Sequence, residues 1–75
     1  MELHHLVKMA NEIGGFFEQI PDRREAVDAI AAHLKGFWEP RMRREIIAHA
    51  RSGAGDLKTI VREAILTLEP PRESR

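Results

Sequence analysis

The side chains in this sequence with which chemistry could begin are four histidines, two serines, two glycine pairs and a run of arginines. His4 and His5 are adjacent, so on a helix they point to different sides and cannot share a metal. His33 and His49 are on separate helices, and no H-E-x-x-H is present. Each sits beside apolar neighbours, which fits a partly buried, hydrogen-bonded imidazole better than a ligand. Gly14-Gly15 and Gly53-Ala54-Gly55 follow no strand and lead into no P-loop Lys-Ser or Lys-Thr, so neither reads as a phosphate cradle. Ser52 and Ser74 lie in a turn and a tail with no general base nearby in sequence. The absence of Cys excludes disulfides, thiolate metal sites and Cys nucleophiles. The expectation is a chain with no catalytic, cofactor-binding or metal-binding residue of its own.

The arginines remain. They cluster in Phe37-Trp38-Glu39-Pro40-Arg41-Met42-Arg43-Arg44, which also holds the sole Trp. Arg41, Arg43, Arg44 and Arg51 could meet phosphates, and a short helix after a tight corner has the outline of a helix-turn-helix. Against this, Glu39 and Glu45 dilute the field, and 12 basic residues balance 12 acidic ones. Two other readings are a solvated charged face and a docking surface in which Trp38 and arginine engage an acidic protein, since both types are enriched at interface hot spots.

Pro40 suits the first turn of a helix and pushes Glu39 toward extended geometry. One helix should therefore end near Phe37 or Trp38 and another begin at Pro40. At such a corner the Trp38 indole can cover the joint between two helices or project toward another protein. A first helix is expected from about Glu2 to Gln19. Its apolar side carries two seams, Leu3-Leu6-Ala10-Ile13-Phe17 and Met9-Ile13-Phe16-Ile20. That side spans roughly half the circumference, wider than a helix needs for its own core. One seam can face the domain while the other stays available.

Asp22 followed by Glu25 has the form of a capping box, opening a second helix with the stripe Ala26-Val27-Ile30-Ala31-Leu34-Phe37. The short turn predicts an antiparallel hairpin with the first helix. A third helix, about Pro40 to Arg51, has a narrow stripe of Met42, Ile46 and Ala50 with Ile47 beside it. Arg43 falls at its edge, where a guanidinium suits pairing with a carboxylate. Ser52-Gly53-Ala54-Gly55 stops this helix. Asp56 is expected to cap a fourth, reaching about Leu68, with Leu57, Ile60, Val61, Ala64, Ile65 and Leu68 on one face. Pro70-Pro71 should end it. The fold class is all-α, a small bundle of about four short helices, with residues 1–69 as a single helical domain and 70–75 as a flexible tail.

A chain of 75 residues makes one small domain, whose core contributes only about 3–5 kcal/mol unless a disulfide, metal or partner helps. Zero net charge disfavours nucleic acid and anionic membrane as partners. No segment has the apolar length of a transmembrane helix, so the expected location is the cytoplasm.

Beyond this chemistry, the sequence resembles the delta subunit of soluble, multi-subunit NAD-dependent formate dehydrogenase. The likeness lies in Leu6-Val7-Lys8-Met9-Ala10-Asn11-Glu12-Ile13-Gly14 followed by Phe16-Phe17. It continues through Ala26-Val27, His33-Leu34, Phe37-Trp38-Glu39-Pro40-Arg41-Met42-Arg43, Ile47-Ala48-His49, Gly53, Leu57 and Val61-Arg62-Glu63-Ala64. Gly36 departs from the pattern, where a larger residue is expected. The resemblance implies a small cofactor-free accessory subunit. It implies as partner a catalytic subunit carrying a molybdenum or tungsten bis-pyranopterin and iron–sulfur clusters, with FMN and the NAD site in other subunits. The surface expected to meet that partner comprises Met9, Phe16, Phe17, Phe37, Trp38, Arg41 and Arg43, and the isolated chain has the apolar excess to self-associate. The competing reading is a small homodimeric helical regulator binding DNA or protein through the basic segment Arg41–Arg51.

Overall fold

The computed structural model describes residues 2–71 as four helices: α1 (Leu3–Phe17), α2 (Arg23–Phe37), α3 (Pro40–Arg51) and α4 (Thr59–Leu66). No strand occurs among the described residues, so the chain is all-α. Pro70 and Pro71 follow α4 without regular structure, and the rest of the expected tail lies outside the described residues.

Each boundary has a local cause. Asp22 accepts hydrogen bonds from the Arg24 and Glu25 amides, at 2.9 and 3.4 Å, and so closes the open N-terminus of α2. Glu39 is extended and Pro40 occupies the first turn of α3, as a missing amide donor and a fixed φ require. After Arg51 the backbone turns left-handed at Gly53, φ 119°, and at Ala54, φ 37°. Gly53 takes that geometry without a Cβ clash.

The start of α4 corrects the expectation. Asp56 does not cap it; the helix begins three residues later at Thr59 and ends at Leu66. The Asp56 carboxylate is turned instead to His49, Nε2 to Oδ1 2.8 Å. The cap comes from another helix. Asn11 of α1 accepts the Lys58 amide at Oδ1, 2.9 Å, and donates from Nδ2 to the Asp56 carbonyl, 3.0 Å. One side-chain amide thus satisfies a donor and an acceptor of the α3–α4 connection, which lacks a local partner.

The core is a single contiguous cluster drawn from all four helices and both later connections. Leu6, Ile30, Leu34, Ile46, Ile47, Val61 and Ile65 are fully buried within it. Ile47, read as peripheral to the α3 stripe, is as deep as Ile46. Gly14 lets α4 approach α1 closely. A Cβ at that position would lie 2.2 Å from Val61 Cγ2, so the crossing admits no side chain there. Two arginines close helix C-termini by donating to carbonyls: Arg62 Nε to Ala50 O at 3.1 Å, and Arg43 Nη1 to Trp38 O and to Lys35 O. Arg43 therefore pairs with the end of α2 rather than with the carboxylate expected for it.

Candidate functional site

The apolar excess of α1 and the corner after α2 converge on one groove. Met9, Ile13, Phe16 and Phe17 line it from α1, and His33, Phe37 and Trp38 from α2 and its cap, with Glu12 at the rim. Within it the rings form a ladder. Phe16 meets Phe17 edge-on with centroids 5.1 Å apart, Phe17 lies 5.8 Å from His33, and His33 lies 4.7 Å from Phe37 at a tilt of 30°. These separations and tilts fall in the range where aromatic pairs attract.

Exposure along the ladder is uneven. The inner members, Phe17 and His33, are half-buried. The outer ones stand in solvent: Phe16 is 67% exposed and Phe37 is 78% exposed. Phe37, expected on the inward stripe of α2, is turned outward at the helix end. Trp38 behaves oppositely. It is 5% exposed and part of the core, so its ring forms the floor of the groove and is not presented as an anchor.

The fold therefore gathers Met9, Phe16, Phe17, Phe37 and the edge of Trp38 around one cavity, and leaves Arg41 and Arg43 outside its lining. Arg41 is exposed at the start of α3, and Arg43 is half-buried against the α2 carbonyls. The groove also recruits His33, which was read only as a satisfied histidine. The available signal was its position four residues before Phe37, which puts both rings on one face of α2.

The cleft beside Glu18, Arg23 and Lys58 has its charges already paired: Arg23 with Glu63 at 2.6 Å and Lys58 with Glu18 at 3.2 Å. His49 donates Nε2–H to the Asp56 carboxylate, which accepts only. That hydrogen bond is the largest influence on Asp56 and holds its carboxyl below the usual value, against an opposing contribution from burial. Among the described residues no three His, Asp or Glu side chains are grouped as a metal would require, and there is no Cys. With no Cys, the chain offers no thiolate to an iron–sulfur cluster.

A family model for the NADH-dependent formate dehydrogenase delta subunit FdsD matches residues 5–65. The chain belongs to this delta-subunit family. The matched span contains all of α2 and α3, most of α1 and α4, and every residue lining the aromatic groove. No curated protein and no solved structure matches the chain. Among the described residues of this delta-family chain, no helix is long and apolar enough to cross a membrane.

Proposed function

We propose that this chain is a non-catalytic accessory subunit of an NAD-dependent formate dehydrogenase that docks on the catalytic subunit through its aromatic groove. The reading rests on membership of the delta-subunit family and, within the molecule, on one observation: the two outer rings of the ladder, Phe16 and Phe37, are left in water. Formate oxidation then takes place elsewhere in the assembly. The molybdenum or tungsten bis-pyranopterin, the iron–sulfur clusters, FMN and NAD belong to the partner subunits. This subunit covers apolar surface on the catalytic one, stabilises it, or holds it during cofactor assembly in the cytoplasm.

Magnitudes bear on how far the groove can act alone. Fully burying each Phe gives about 1.5–3 kcal/mol. Two rings fall short of the ~8 kcal/mol net that a micromolar complex needs after its entropic costs. The groove supplies the centre of an interface whose remainder must come from other surfaces.

The test is a Phe16→Glu, Phe37→Glu double variant of the tagged chain, expressed in its native cell. The variant should melt within a few degrees of the unmodified protein, because neither ring is in the core, yet fail to co-purify formate dehydrogenase activity and molybdenum or tungsten. Retention of the whole assembly by the folded variant refutes the groove as the docking site.

A further inference from the structure

Along the outer side of α3 the arginines form a ridge that no part of the fold uses. At 100° and 1.5 Å per residue, Arg41, Arg44 and Arg51 fall within an arc of about 80° along about 15 Å of helix. The arc is directed away from Met42, Ile46 and Ala50 and borders the buried Ile47. Arg41 and Arg51 are exposed and Arg44 is half-buried. Among the described residues none of the three forms an ion pair or a side-chain hydrogen bond. Five other cations of this neutral chain are occupied, Arg23, Arg24 and Lys58 with carboxylates and Arg43 and Arg62 with helix-end carbonyls, while Lys8 on α1 and Lys35 on α2 stand singly on other helices.

Local energetics favour Arg51, which lies in the last turn of α3 and complements the helix dipole, but do not account for Arg41 and Arg44. Arg41 and Arg44 stand near the N-terminus of α3, which has no acidic residue in its first turn and no side-chain cap. Positive charge at that end opposes the helix dipole. Nor is solubility a sufficient reason, because a solvated face is served equally by lysine, and α3 carries four Arg and no Lys. Arginine differs from lysine in its planar fork, which meets a carboxylate with two parallel hydrogen bonds and loses little hydration in doing so. Phosphates would also fit the fork, but Glu39 and Glu45 flank the ridge and the chain has no net positive charge to hold a polyanion.

We infer that this ridge receives an acidic segment of the formate dehydrogenase partner, with carboxylates spaced to meet Arg41, Arg44 and Arg51. The inference rests on the accessory-subunit reading and adds a second contact, chemically distinct from the apolar groove. Exposed charge pairs add little affinity each; their main effect is on the encounter rate and on register.

The experiment measures association of the full chain with formate dehydrogenase purified from cells lacking this subunit. It compares the unmodified protein with an Arg41→Glu, Arg44→Glu, Arg51→Glu variant at about 50 mM and about 500 mM salt. The substitutions at Arg41 and Arg44 suit the dipole of α3 and the one at Arg51 opposes it, and unchanged circular dichroism confirms that the variant is folded. The expected result is association slowed by at least about tenfold at low salt, with the gap closing to about twofold at high salt. Equal association rates at both salts overturn the ridge while leaving the groove standing. No association of the unmodified chain overturns the accessory reading itself, and this inference with it. A salt-sensitive gel shift of random-sequence duplex DNA by the unmodified chain, lost in the variant, also overturns it by assigning the ridge to phosphates.

Discussion

Trp38 carries more apolar surface than any other side chain in the core, and it sits where α2 turns into α3. Its carbonyl accepts from Arg43 while its ring packs inward, so one residue fixes both the corner and the groove floor. Truncating it costs about 3–5 kcal/mol, comparable to the whole contribution expected from a core of this size. Trp38→Ala should therefore lose most of its helical circular dichroism at room temperature, while Trp38→Phe keeps the fold with a lowered melting point. A Trp38→Ala protein that melts like the parent would place the ring outside the core. Asp56 makes a second prediction at this scale. A carboxyl held low by a native hydrogen bond adds stability that is full above its ordinary range and is lost as the pH falls through the lowered native value. Urea titrations at about pH 6 and again below the lowered native value should then show Asp56→Asn destabilised at the higher pH and nearly equal to the parent at the lower one. The same gap at both values would contradict the assignment.

Among the elements, the crossing of α1 and α4 turns on one hydrogen atom. Gly14 and Gly15 are adjacent and alike in sequence, yet only Gly14 faces Val61, while a Cβ on Gly15 would meet open space. Gly15→Ala should gain about 0.5–1 kcal/mol by helix propensity. Gly14→Ala should lose up to about 2 kcal/mol net, because overpacking of about 1–3 kcal/mol outweighs the same propensity gain. For a domain of this length each kcal/mol moves the melting point by about 4–8 °C, so thermal scans of the pair should diverge in opposite directions. Equal shifts would mean that α4 is not seated on α1 at this point. The connection into α4 belongs to this scale as well. Asp56 had the residue type for a cap, but His49 and Asn11 compete for its surroundings, and the backbone is satisfied from α1 instead.

At the scale of the whole molecule, the core takes what four short helices can enclose and leaves Phe16 and Phe37 outside. A partner that covers this surface binds only the folded state, and stability then rises with its concentration. The melting temperature of the chain should accordingly climb when formate dehydrogenase lacking this subunit is added, and the Phe16→Glu, Phe37→Glu variant should show no such rise. Both readouts follow from one surface, so a rise that persists in the variant would locate the contact elsewhere.

Read as a string, the residues were sufficient for four helices, for α3 opening at Pro40 and closing at Arg51, for the Asp22 cap and for the delta-family likeness. These depend on neighbours within one or two turns: apolar spacing, a proline's fixed φ, a carboxylate beside open amides, a run of rare residue types. What depended on distant partners was not legible. Phe37 and Trp38 are consecutive and both aromatic, and only the packing of α1 and α3 around the corner decides that one is core and the other is surface. The late start of α4, the role of Asn11 and the difference between Gly14 and Gly15 have the same origin. The Asn11 and Gly14 contacts span more than forty residues of chain and are set by where helices cross, and local spacing does not encode them.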